Sequence, residues 1–206
     1  MNIKKITLLT GGALVSALLL PPAAALATPS IPKNFLLYEK EARKDTKHEH
    51  WLLSQNDNLI EVENIQCSGA KLKKEWIARR DLTYDPHMGG GEKTSAERGE
   101  QVFLFAKASA AEKMMTEFRA RLTKCGKLVK VIDPKIGDNS VGAARATKST
   151  KSNPVPQTQQ FIAVRKGTAV AIYWDMHNDT PAISTLAKHQ ADATKMAAKL
   201  CTIGDC

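Results

Sequence analysis

The sequence predicts an α+β domain: an antiparallel sheet of about five or six strands, covered by two or three helices and stabilised by disulfides. Three observations point there. Short strand-like runs outnumber helical ones, and two of the runs flank a two-residue glycine turn; helices with one apolar stripe fall between or after the runs; and four cysteines occur in a chain whose start reads as an export signal.

Lys4 and Lys5 are the only charges before the apolar run Ile6–Leu20, Pro21 and Pro22 break any helix there, and Ala25-Leu26-Ala27 offers small residues at the positions a signal peptidase reads. The run is about 15 residues, short of the roughly 20 that span a bilayer. No cysteine lies near the cleavage site, so a lipid anchor is not expected, and residues 1–27 read as a cleavable signal peptide. Residues 28–58 form a polar N-terminal segment with a short helix candidate at Phe35–Lys44, and a single α+β domain is expected over 59–206.

Within that domain Leu59–Ile65 and Glu75–Tyr84 are strand candidates, Asp85–Gly99 is a loop by its proline and glycine content, and Gln101–Lys107 is a strand. Ser109-Ala110-Ala111-Glu112 has the form of a capping box. It opens a helix whose apolar stripe is Ala111, Met114, Met115, Phe118, Leu122 and Cys125, with Gly126 placed to end it. Lys127–Ile132 and Val141–Thr147 read as strands, and Lys148–Gln157 is a polar connection. Gln159–Arg165 and Thr168–Asp175 flank the turn Lys166-Gly167. A last helix, capped by Asp179 or Thr180 with Pro181 at its first position, carries Ile183, Leu186, Ala187, Ala193, Ala197, Leu200 and Cys201 on one stripe.

The 206 residues carry 30 Lys and Arg against 21 Asp and Glu, and losing residues 1–27 takes the net charge from +9 to +7. That surplus suits anionic partners. The lysines are spread along the chain rather than gathered among aromatics, so no specific nucleic-acid surface is expected. Four cysteines in an exported chain imply two disulfides among three connectivities. Pairing Cys67 with Cys125 and Cys201 with Cys206 is favoured, since Gly204 permits the tight return that the second bridge needs.

No motif carries catalytic chemistry. His48-Glu49-His50 lacks a third ligand and helical metal spacing, and Glu92 stands where the phosphate loop's glycine belongs in Gly89–Thr94. There is no Gly-x-Ser-x-Gly elbow. No metal or cofactor is therefore expected. The one cluster suited to a ligand is Trp76, Arg79, Arg80 and Tyr84, with Trp174 in a similar Tyr-Trp-Asp setting. Alternation along one strand puts Arg80 with Trp76, Leu82 and Tyr84, and Arg79 with Asp81. Arg80, Trp76, Tyr84 and Trp174 are accordingly the residues expected to line a cleft for an anionic ligand, the guanidinium binding through two parallel hydrogen bonds.

Several features coincide: Cys67 ahead of a strand, Cys125 ending a helix with Ala111, Met114, Phe118 and Leu122, the run Gly137–Gly142 leading into a strand, the hairpin Phe161–Ile172, and a final helix ending in Cys201. Together they resemble the extracellular sensor domain of PknH-type actinobacterial receptor serine/threonine kinases, a domain also found alone in secreted proteins and lipoproteins. The resemblance covers residues 59–206. It implies an antiparallel sheet with helices on it, two disulfides, and a cleft for a small-molecule or cell-envelope ligand. A tryptophan common in the family before the cysteine at 125 is replaced here by Leu122, Thr123 and Lys124, and without kinase and membrane parts no signalling role carries over. The expectation is thus a secreted ligand-binding, sensor-like module, with a secreted enzyme or enzyme inhibitor as the alternative. N-terminal sequencing of protein from culture supernatant is expected to start at Thr28; an intact Met1 chain in the membrane fraction would contradict it.

Overall fold

A computed structural model describes residues 29–44, 51–53, 74–85, 96–147, 156–178 and 185–206. Seven strands form one antiparallel sheet: β1 (Trp51–Leu52), β2 (Trp76–Tyr84), β3 (Ala96–Phe105), β4 (Lys130–Ile132), β5 (Asn139–Thr147), β6 (Gln157–Lys166) and β7 (Ala169–Asn178), in the order β1-β2-β3-β7-β6-β5-β4. Three helices accompany them: the single turn α1 (Glu39–Ala42), α2 (Ala108–Lys124) and α3 (Leu186–Leu200). This is the α+β class expected, with the sixth and seventh strands supplied by the short edge elements β4 and β1.

The central strands are buried on both faces, which is why they read as nearly continuous apolar runs. In β3, Phe103 and Phe105 face α2 while Val102 and Leu104 face α3; in β7, Val170, Ile172 and Trp174 face α2 while Ala171 and Tyr173 face α3. The α2 layer packs Ala111, Met114, Met115, Phe118 and Leu122 on the sheet, as the stripe predicts, with Phe118 stacked on Phe161 at 4.9 Å. Each of the methionine, phenylalanine and leucine side chains contributes about 1.5–3 kcal/mol by leaving water. The opposite layer combines α3 with Ile31, Phe35, Leu36 and Tyr38 from the N-terminal segment. The described part of that segment therefore belongs to the folded unit.

Several elements differ in detail from the sequence reading. Ser109 lies inside α2, whose first turn closes on the Lys107 carbonyl, so no side chain caps the helix. Gly126 does follow its last turn, with φ 57°. Gly126–Leu128 is a 3₁₀ turn, which shortens the expected strand to Lys130–Ile132. β3 starts within the expected loop, at Ala96. α3 is capped by the Thr185 hydroxyl, which accepts from the Lys188 amide at 3.1 Å. Asp179, Thr180, Pro181, Ile183 and the strand expected at Leu59–Ile65 lie outside the described residues. The buried stripe of α3 is His189, Asp192, Ala193, Met196, Ala197 and Leu200, so it includes two polar residues and leaves Ala187 and Cys201 exposed.

Cys201 and Cys206 form a disulfide across the tight return after α3. Cys125 is also disulfide-bonded, and its expected partner Cys67 lies outside the described residues. The return docks on the β6–β7 hairpin: the Thr168 amide donates to the Asp205 carbonyl, and the Asp205 amide donates to the Thr168 hydroxyl. Pairing of Lys166 with Ala169 places the two-residue turn at Gly167-Thr168, one position beyond that expected. Gly167 takes φ 54°, and a Cβ there would stand 1.6 Å from the Asp205 oxygen. Only glycine fits both demands. Gly167→Ala is expected to cost about 2 kcal/mol or more and to lower the melting temperature by roughly 5 °C. An unchanged melting curve would show that the return does not rest on the hairpin.

Candidate functional site

β2 carries a register irregularity between Trp76 and Ala78, a bulge that adds one residue and reverses the facing of what precedes it. Trp76 therefore packs on Phe103 in the α2 layer, at 5.0 Å, while Arg80 and Tyr84 face the N-terminal segment. Trp174 is on the α2 side too, but it pairs with Gly99 on β3 whereas Trp76 pairs with Phe105, far along the same strand. The four residues expected to line one cleft are thus divided between two faces.

Arg80 meets a carboxylate of its own chain. Its Nε donates to Glu39 Oε1 at 3.0 Å, a second guanidinium nitrogen reaches the same oxygen, and the two side chains are 16% and 10% exposed. Arg79 pairs with Asp81 at 2.9 Å on the other face, nearly sealed from water. The parity argument separated the two arginines correctly, but the anion beside Arg80 is internal, so the guanidinium does not face an open cleft.

That internal pairing belongs to a larger arrangement that seats the N-terminal segment on the sheet. Glu100, fully buried in β3, accepts from the Leu37 amide at 3.0 Å, the Tyr38 amide at 2.8 Å and the Tyr173 hydroxyl. Glu39 accepts from the Leu36 amide at 2.9 Å. The Tyr38 hydroxyl donates to Asp192 at 3.0 Å, and Lys188 pairs with the same carboxylate. The Arg98 guanidinium lies 4.9 Å from the Tyr38 ring centre and 5.4 Å from those of Trp51 and Tyr84, and it pairs with Glu41 at 2.6 Å.

Burial drives the Glu100 carboxyl up to about 7, against the three hydrogen bonds that favour its ionised form. Burial, reinforced by Asp192, likewise raises Tyr38, and burial with Glu100 raises Tyr173. Behind this group His189 Nε2 lies 2.6 Å from Asp175 Oδ1, both residues enclosed. A histidine held by a carboxylate is two parts of a hydrolytic triad. Here the other ring nitrogen, Nδ1, has no hydrogen-bond partner among the described residues, so none of them addresses it as a nucleophile, and the pair is sealed from solvent. Among the described residues no group of three His, Cys, Asp or Glu is placed to hold a metal, and His48-Glu49-His50 and Gly89–Thr94 lie outside them.

The surface opens beside the seated segment. A depression of about 180 Å³ lies between it and the β1–β2 corner, lined by Asn34, Glu39, Ala42, Arg43, Trp51, Leu53 and Leu82. Buried Leu82 and half-buried Trp51 supply an apolar floor and wall, and Leu53 is 44% exposed at the rim. A second depression, about 270 Å³, surrounds the β4–β5 turn, but Asp133 is taken by Lys135 at 2.7 Å and Asp138 by Lys166 at 2.7 Å. The first is the more apolar of the two, and apolar walls with few polar groups are the character of small-molecule sites in general. None of its seven residues is among those expected to contact a ligand, although strand alternation puts Leu82 on the Arg80 face. Trp51, a large aromatic closing an otherwise charged stretch, was the one available signal.

No protein-family model, curated protein or solved structure matches the chain. Among the described residues no helix is long and apolar enough to cross a membrane.

A carboxyl whose folded pKa lies above its ordinary value of 4.5 holds its proton more tightly in the fold than in the unfolded chain. The stability that Glu100 lends is therefore greatest below about pH 4.5 and falls as pH rises through about 7, by roughly 3 kcal/mol at most. Comparing melting temperatures with Glu100→Gln isolates this: the difference between parent and variant is expected to shift against the parent from pH 5 to pH 8. A pH-independent difference would mean that Glu100 does not titrate there.

Proposed function

We propose that the chain is a secreted, extracytoplasmic ligand-binding module of the sensor-like kind, and that its ligand occupies the depression between the N-terminal segment and the β1–β2 corner. The observation that supports this best is the open apolar site itself, with Trp51 as wall, Leu82 as floor and polar groups only at Asn34, Glu39 and Arg43. A flat or branched apolar body against an indole gains both burial and ring contact. The segment that forms one side is fixed by buried carboxylates, so the site is preorganised, which lowers the ordering cost of binding.

The Cys201–Cys206 bridge agrees with export, since such bonds persist in oxidising compartments. A secreted enzyme or inhibitor has less support, because the one histidine–aspartate pair among the described residues is enclosed and addresses no nucleophile.

Leu53→Asp changes the rim without touching the buried network. Protein purified from its native supernatant is expected to carry a small molecule detectable by mass spectrometry after solvent extraction, and the variant is expected to lose it with a melting temperature within about 2 °C of the parent. Retention of the same molecule by the variant would place the ligand elsewhere.

A further inference from the structure

The charges around the depression say what its ligand carries. The N-terminal segment holds Glu39 and Glu41, and both carboxylates are taken by arginines of the sheet: Glu39 by Arg80 and Glu41 by Arg98. Lys33, Lys40, Arg43 and Lys44 of the same segment are exposed, and among the described residues no carboxylate pairs with any of them. The exposed charge of the segment is therefore mainly cationic even though it alternates acids and bases in sequence. Among these cations Arg43 alone lines the depression, and its one partner among the described residues is the neutral side-chain oxygen of Asn34, which accepts from Nη1. A guanidinium has five donors, so most of Arg43's donors remain for a ligand at the mouth of an otherwise apolar site.

We propose that the ligand is an anionic amphiphile: an apolar body against Trp51 and Leu82, and a carboxylate, sulfonate or phosphate group on Arg43. This rests on the ligand-binding reading above and narrows it. Glu39 does not oppose such a ligand, because its charge is offset by Arg80 and one of its oxygens accepts the Leu36 amide. The anion meets Arg43 at the rim, where it stays partly hydrated and avoids the full cost of burying a charge. The site is small, so it encloses one ring or a short acyl segment and leaves the rest of the ligand on the surface.

Two probes with similar rings separate the parts. 8-Anilinonaphthalene-1-sulfonate carries the anion, and N-phenyl-1-naphthylamine lacks it. Both are expected to bind with enhanced fluorescence and to lose that binding in Leu53→Asp. Arg43→Ala is expected to weaken the sulfonate roughly ten-fold, as for one partly exposed charge-assisted pair, while leaving the neutral probe within two-fold. Arg43→Lys, which keeps the charge but not the fork, falls between. If Arg43→Ala leaves the sulfonate unchanged, or weakens both probes alike, the anionic assignment is overturned while Leu53-dependent binding of the neutral probe keeps the site. If neither probe responds to Leu53→Asp, the site itself is wrong. Melting temperatures of all variants exclude unfolding as the cause. Arg43-dependent cosedimentation with phosphatidylglycerol vesicles assigns the anion to a lipid headgroup, and its absence assigns it to a soluble molecule.

Discussion

Glu100 sits near the middle of the sheet, beyond the reach of water, with two backbone amides of the N-terminal segment and the Tyr173 hydroxyl directed at its carboxyl oxygens. A buried carboxyl is costly to keep unless donors surround it, and those donors are well placed only when residues 37 and 38 lie across β3. The same constraint works in the other direction. The segment is charged and α1 is a single turn, too short to persist alone, so its position comes from the sheet rather than from helix formation. Arg80 and Arg98 then fix the two acids of α1, and Lys199 of α3 reaches the Asn34 and Phe35 carbonyls from the opposite side. The walls of the depression are a by-product of this fastening. Beside the segment, half-buried Trp51 and buried Leu82 remain as the wall and floor of that depression.

The pairs within the group are of unequal weight. Arg98 with Glu41 is half-open to water and owes more to three aromatic rings around the guanidinium than to the ion pair. Arg80 with Glu39 is largely enclosed, so removing either partner would strand a charge, and the bond acts as a latch more than as a source of net stability. Asp192 and Tyr38 connect the segment to α3, which makes both helical pieces of this layer depend on one another. His189 and Asp175 lie in the same layer and join α3 to β7 without the segment's help.

What could be read from the sequence follows from how local its causes are. β3, β6 and β7 are legible because strands buried on both faces must be apolar at successive positions, as in Phe161–Val164 and Ala169–Trp174. The α2 stripe is legible because five buried side chains recur at helical spacing. The bulge in β2 is not, because the extra residue, Ile77, is neither glycine nor proline, and without it the strand alternation misplaces Trp76. Nor is the seating of the N-terminal segment, since its acids look like a solvated surface until their partners, 41 and 57 residues away, are brought alongside. The two polar residues in the α3 stripe mislead for the same reason: His189 and Asp192 are buried against Asp175 and Tyr38, contacts that no local pattern announces.

The docking of the last residues on the β6–β7 turn has a practical corollary for handling the molecule. Along the sheet, Ala169 pairs with Leu104, whereas Leu82 beside the depression pairs with Glu100, and Glu100 pairs with Tyr173. Four residues of extended chain separate those positions, roughly 13 Å. A linker, dye or solid support joined after Cys206 therefore emerges beside the hairpin turn, displaced along the strands from the opening near Trp51. The molecule can be tethered by that end with the depression left open to the solution, whereas attachment ahead of Ile31 would place the tether on the segment that walls the opening.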